Sequence, residues 1–326
     1  MKSSIDRRSA LKLTVAGGAL LATPQIMIRG AHAQMSESEL EPSGFNRFKL
    51  GQFEVTTILD GKRAYENTAE TFGIDQPPET VAELLAGEYL PADHWMNSFT
   101  PTLVRTGDDL VLFDTGLGEG ARQNGLGRLR ERLGAAGHTP EDVTIVVITH
   151  FHGDHIGGLM EGEAPAFPNA RYVAGQVEYD FWTAPERLSG PMESGARNVE
   201  AKVKPLADKM AFIGDGDSVV SGITAMAAFG HTPGHMIFML ESDGKQLVLT
   251  ADTANHYVAS LQRPDWHVRF DVDKEAGVAT RKKVFDMVAA DRLPFIGYHM
   301  PPPAIGFVEK VGEGYRFIPE TYQLDF

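Results

Sequence analysis

The 326-residue sequence predicts an α/β fold, on three observations. Short apolar runs recur, at 110–113, 144–149, 225–229, 246–249 and 295–298. Just beyond them stand Asp114, His150, His231, Asp252 and His299. Segments with helical spacing separate several of these runs. Functional groups of α/β proteins gather past strand ends, and scattered histidines would not repeat that placement.

Each element has its own warrant. Residues 34–48 are polar and read as an N-terminal arm, 52–59 alternate as a first strand, and Asp60-Gly61 is a turn. Residues 66–94, with Gly73, Pro77, Pro78, Gly87 and Pro91, form an insertion with a short helix over 79–86. It reads equally as a lid or as a plain surface excursion. Residues 102–106 and 110–113 make a hairpin. Leu126, Leu129 and Leu133 mark a helix face, and Thr139-Pro140 resembles a helix start. Residues 144–149 form a strand buried on both faces. Residues 217–252 read as successive short strands with a turn at 242–245. A helix over 274–292, with Val278, Phe285 and Val288 inward, stops at Pro294. No linker or repeat divides residues 49–326, which read as one catalytic domain.

The densest chemistry is His150-Phe151-His152-Gly153-Asp154-His155, three imidazoles and a carboxylate in six residues. Burying such groups unpaired is very costly, and metal coordination is the usual compensation. Imidazole and carboxylate donors suit Zn²⁺ or another first-row ion. His231-Thr232-Pro233-Gly234-His235, Asp252-Thr253, His299 and Asp114-Thr115-Gly116 complete the set.

In this order the motifs resemble those of the metallo-β-lactamase superfamily, over about residues 45–326. Residues 49–55, Ala251-Asp252-Thr253 and 297–301 further resemble its secreted branch of methyl parathion hydrolase, lactonases and esterases. The resemblance implies an αββα sandwich. It implies one divalent ion on His150, His152 and His231, a second on Asp154, His155 and His299, and Asp252 shared by both. Zn²⁺ is the first choice, with Mn²⁺, Co²⁺ or Fe²⁺ as alternatives. A hydroxide held between the ions would attack a small neutral ester-like molecule: a lactone, an aryl ester or a phosphotriester. Asp154 is the candidate catalytic proton carrier, and Asp114 and His235 would orient ligands. Phe99, Trp182 and His256 are candidates for the substrate pocket. Pro301-Pro302-Pro303 departs from the branch, where an aromatic often stands in the middle. A β-lactamase is disfavoured, because those enzymes generally lack the shared Asp. The alternatives are a glyoxalase II-type thioesterase and a mononuclear iron sulfur dioxygenase.

Residues 1–33 resemble a twin-arginine export signal: Arg7-Arg8, a weakly apolar stretch and Ala31-His32-Ala33, with cleavage expected after Ala33. The expectation is a periplasmic or secreted protein that meets the export machinery and has no membrane anchor after cleavage. Losing this +4 segment takes the formal charge from −14 to −18, which repels nucleic acid and anionic lipid. There are no cysteines, so disulfides and thiolate ligands are excluded. A homodimer is expected from the secreted branch and from Phe45 and Phe48 in the arm.

Overall fold

The computed structural model describes residues 44–321. The expected export segment and residues 34–43 of the arm lie outside them. Phe45–Leu50 is not arm but strand β1, paired antiparallel along its length with β2, Phe53–Ile58. The first half continues with β3 (Gly61–Glu66), α1 (Pro78–Gly87), β4 (His94–Phe99), β5 (Thr102–Thr106), β6 (Asp109–Phe113) and α2 (Leu129–Ala135). Then come β7 (Ile145–Ile148), α3 (Gly153–Ile156), the short pair β8 (Met160–Glu161) and β9 (Ala164–Pro165), β10 (Arg171–Gly175), α4 (Gln176–Thr183), α5 (Glu193–Lys202) and β11 (Met210–Ile213). The second half holds β12 (Ser218–Val220), β13 (Ile223–Ala227), β14 (Met236–Ser242), β15 (Lys245–Ala251), α6 (Ala259–Gln262), α7 (Lys274–Ala290), β16 (Phe295–Gly297), β17 (Ile305–Val311) and β18 (Gly314–Pro319).

Two seven-stranded sheets result, ordered β1-β2-β5-β6-β7-β10-β11 and β12-β13-β14-β15-β16-β17-β18. Strand alternation assigns each side chain to a layer. In β7, Ile145 and Val147 pack with Phe238, Leu247 and Leu249 of the other sheet. Val146 and Ile148 face the opposite way, toward Leu129 and Leu133 of α2 and Val199 of α5. In β15, Val248 instead meets Val284, Phe285 and Val288 of α7. The four layers are therefore helix, sheet, sheet, helix: an αββα sandwich. An all-apolar β7 follows directly from burial on both faces.

Three details correct the sequence reading. Asp60 is no turn residue; it is fully buried, and its carboxylate accepts from the backbone nitrogens of Leu117 (3.0 Å) and Leu129 (2.8 Å). The inward stripe of α7 runs through Gly277, Arg281, Val284, Phe285 and Val288, leaving Val278 half-buried. The insertion is packed against the following region rather than standing free. Val81 and Leu85 of α1 bury against Val258 and Trp266, and Phe72 bridges to Val268. Its flanks pair as a two-stranded sheet, β3 with β4, which the sequence reading did not anticipate.

Candidate active site and metal centre

The expected chemistry collects past the ends of β7, β15 and β16 and in the loop between β13 and β14. Two residues near these strand ends adopt left-handed backbone, Asp114 (φ 61°) and Ala251 (φ 43°). Such strain costs on the order of 1 kcal/mol per residue and persists where surrounding contacts hold it.

All seven candidate ligands converge. His231 Nε2 lies 2.9 Å from His152 Nδ1 and 3.2 Å from His150 Nε2. Asp252 Oδ2 stands 3.3 Å from His231 Nε2, 3.8 Å from His150 Nε2 and 3.0 Å from His299 Nε2, while its Oδ1 faces His155 Nε2 at 3.2 Å. Asp154 Oδ2 is 3.5 Å from His299 Nε2 and 3.7 Å from His155 Nε2. The donors fall into two groups, His150, His152, His231 and Asp252, then Asp154, His155 and His299.

Hydrogen bonds behind the ligands orient the rings. His155 Nδ1 donates to Asp114 Oδ2 (2.8 Å), His231 Nδ1 to Asp271 Oδ1 (2.9 Å) and His299 Nδ1 to the Ser98 carbonyl (2.8 Å). In their neutral forms these rings therefore aim bare Nε2 lone pairs inward, at one another and at a carboxylate. His155 Nε2 and Asp252 Oδ1 are buried without any hydrogen bond. Facing lone pairs need positive charge between them, so the donor set fits divalent cations.

The electrostatics agree. Burial opposes a proton on His231, but hydrogen bonds to Asp252 and Asp271 outweigh it and hold the imidazole at about 9. Burial is likewise overcome at His155, held well above the ordinary value by Asp252, Asp114 and Asp154. His150 and His152 are pushed well below it by burial, with neighbouring imidazoles adding to the effect.

Asp114 and His235 stand where orienting residues were expected. Besides His155, Asp114 accepts from the Thr149 backbone nitrogen and hydroxyl, both at 2.9 Å. His235 donates from Nδ1 to the Ala228 carbonyl (3.0 Å) and accepts the Asp252 backbone N–H at Nε2 (3.1 Å), so it has no free nitrogen for a metal.

Other positioning residues escaped the sequence reading. Fully buried Arg281 holds Asp271 (2.7 Å) and three backbone carbonyls, those of Thr253, Pro264 and Trp266. Buried Glu178 joins the two histidine motifs. It accepts from the Phe151 and Gly234 backbone nitrogens (2.8 and 2.9 Å), Thr232 Oγ1 (2.7 Å) and Trp182 Nε1 (2.8 Å). A Cβ at Gly234 would stand 2.1 Å from the Glu178 backbone nitrogen, so only glycine fits that approach. A charged residue inside an apolar helix stripe was the readable signal for Arg281; Asp271, in a loop, carried none.

A cavity of about 460 Å³ opens onto the ligands, walled by Tyr65, Asn97, Phe99, Leu117 and Phe270. Phe99 thus lines the pocket as expected. Trp182 does not: it is buried behind His152, ring centroids 6.1 Å apart, with its N–H spent on Glu178. His256 does not either. Its ring packs on Phe72, its Nδ1 accepts from the Val258 and Ala259 backbone nitrogens, and burial lowers it to about 4. A larger groove of about 760 Å³ between α7 and β17 contains none of these residues.

Residues 100–294 match the family model of the Metallo-beta-lactamase superfamily. The chain belongs to that superfamily. It is a metal-dependent hydrolase with a lactonase-like relationship: an N-acyl homoserine lactonase of Bacillus cereus is 25% identical over 216 residues, 60% of this chain and 79% of that one. The lactamase-like protein adaB of Aspergillus niger is 29% identical over 200 residues, 60% of this chain and 51% of that one. Among solved structures, the dizinc quorum-quenching lactonase AidC superposes with a TM-score of 0.78 and 28% identity, covering 86% of this chain and 99% of that one. The hydrolase AbOPH gives 0.78 and 26%, covering 87% and 99%.

Proposed function

We propose that the protein is a dinuclear metallohydrolase of small neutral ester-like substrates, with a lactone as the leading candidate over an aryl ester or a phosphotriester. The observation that carries this is the Asp252 carboxylate, set between two complete donor groups at the cavity floor. His150, His152 and His231 would hold one cation and Asp154, His155 and His299 the other, with Asp252 shared. Zn²⁺ suits the all-imidazole-and-carboxylate donors. When bound, such a pair supplies an activated water and polarises the scissile carbonyl or phosphoryl group.

The chain's own residues supply the rest. Tyr65, Phe99, Leu117 and Phe270 cover the apolar part of a substrate and exclude water. Asp154 lines the cavity with its side chain 22% exposed, against 3% for Asp252. Its carboxylate, beyond the oxygen that would hold the cation, can take a proton from the attacking water and deliver it to the leaving alkoxide. The Tyr298 hydroxyl fixes that carboxylate's backbone, donating to the Asp154 carbonyl at 2.5 Å. The lactone preference is supported by likeness to proteins named as lactonases.

Elemental analysis of Zn²⁺-loaded protein should give close to two equivalents. An acylhomoserine lactone should be turned over faster than a nitrophenyl ester, a phosphotriester, a β-lactam or a glutathione thioester. One tight equivalent, unchanged by Asp252→Ala, would defeat the dinuclear model and favour the dioxygenase. A preference for the thioester would favour the glyoxalase II-type reading.

A further inference from the structure

One inward position of α7 is charged. Arg281 is fully buried in a stripe whose other members are Gly277, Val284, Phe285 and Val288. Burying a guanidinium is costly unless its donors are met, and well-packed apolar residues often stabilise a core as much as a buried ion pair does. What sets Arg281 apart is where its donors go. All four of its hydrogen bonds end on residues 253–271.

Nε donates to the carbonyl of Thr253 (3.0 Å), the residue that follows Asp252. Nη1 donates to the carbonyls of Pro264 (2.9 Å) and Trp266 (3.1 Å), and the Trp266 ring packs on Val81 and Leu85. Nη2 donates to Asp271 Oδ2 (2.7 Å), while Asp271 Oδ1 takes the His231 Nδ1–H. Asp271 directly follows Phe270, which lines the cavity and is 36% exposed. A guanidinium presents its donors in a rigid plane, so its acceptors cannot move independently of one another. The helix also comes very near Asp271. A Cβ at Gly277, one turn before Arg281, would stand 2.7 Å from Asp271 Oδ2.

We infer that Arg281 is a positioning residue that ties the cavity wall at Phe270 to the His231 side of the metal centre. Cation affinity and discrimination between large and small substrates then depend on the same buried side chain. This rests on the dinuclear hydrolase reading and adds to it a link between metal centre and substrate wall.

The test follows two readouts. The first is zinc affinity, by competition with a chelating dye and without turnover. The second is the ratio of kcat/KM for a long-chain over a short-chain alkyl lactone, at matched zinc content. Arg281→Lys keeps the charge but offers a single nitrogen in place of the fork. It should weaken one zinc equivalent roughly 10- to 100-fold. It should also lower the long-to-short ratio roughly 10-fold, through the KM of the long substrate. In a Phe270→Ala background the same change should still weaken zinc but no longer alter the ratio. Gly277→Ala, which favours the helix and crowds Asp271, should shift both readouts in the same direction by less. A lower Tm with both readouts unmoved would leave Arg281 a plain structural residue and overturn the inference. Weaker zinc with an unchanged ratio would overturn the link to the wall. Where Arg281→Lys does not fold, Gly277→Ala decides on the same two readouts. An unaltered protein that holds two zinc ions yet hydrolyses neither lactone nor a nitrophenyl ester would overturn the hydrolase reading and this inference with it.

Discussion

Asp154 and Asp252 are both carboxylates of the same cluster, yet burial separates their chemistry. Asp252 is enclosed, and Asn255 Nδ2 donates to its Oδ2 at 2.9 Å while His235 takes its backbone N–H. It is fixed as a shared ligand. Asp154 reaches the cavity and remains available to a leaving group. Asp252→Ala should therefore lose metal and activity together. Asp154→Asn, compared at matched metal content, should lose about 10²–10⁴-fold in kcat on a lactone or alkyl ester. The loss should be much smaller on a nitrophenyl ester, whose leaving group needs little protonation. Equal losses on both substrates would reduce Asp154 to a ligand alone.

At the scale of elements, the insertion and the 256–270 segment form one packed wall, and His256 sits inside it. Its Nδ1 receives two backbone N–H groups at the start of α6, which requires an unprotonated nitrogen. Burial depresses the imidazole to about 4 from an ordinary 6.5. The linkage sign follows: above pH 6.5 neither folded nor unfolded chain protonates it, and its contribution is constant. As pH falls from 6.5 toward 4 the unfolded chain takes up the proton first, and stability drops by up to about 3 kcal/mol. His256→Gln should therefore flatten the dependence of Tm on pH across that window. Differential scanning calorimetry of both proteins would show it, and parallel slopes would refute it.

At the scale of the molecule, the described residues begin at the edge strand β1. Residues 1–33 resemble an export signal, and β1 pairs with β2 along its whole length. A protein starting at Gln34 should fold and retain full metal content and activity, and the mature N-terminus in the native host should be Gln34. Full-length protein confined to the cytoplasm, indifferent to Arg7→Lys with Arg8→Lys, would exclude export. The expected homodimer is checked by light scattering; a monomer mass across micromolar concentrations would exclude it.

The sequence alone determined which chemical groups stand past the apolar runs, while the four layers and the seven candidate ligands followed from the resemblance of those motifs to the superfamily. A short apolar run such as 145–148 suits a strand buried on two faces, and a buried segment holding His150, His152, Asp154 and His155 suits a cation. The tertiary structure decided what stands behind and opposite the ligands. Asp271, Glu178 and Ser98 act through partners far away in the chain, His231, Phe151 and His299, which no spacing rule connects. Trp182 and His256 show the same division in reverse. Their residue types suited a substrate wall, but only packing decides which side of a wall a ring faces. Glu178 takes the Trp182 N–H, and Phe72 covers the His256 ring. Four of the seven candidate ligands share one short segment, residues 150–155, whereas pocket shape is set by contacts between segments that meet only when the two sheets close on their common core.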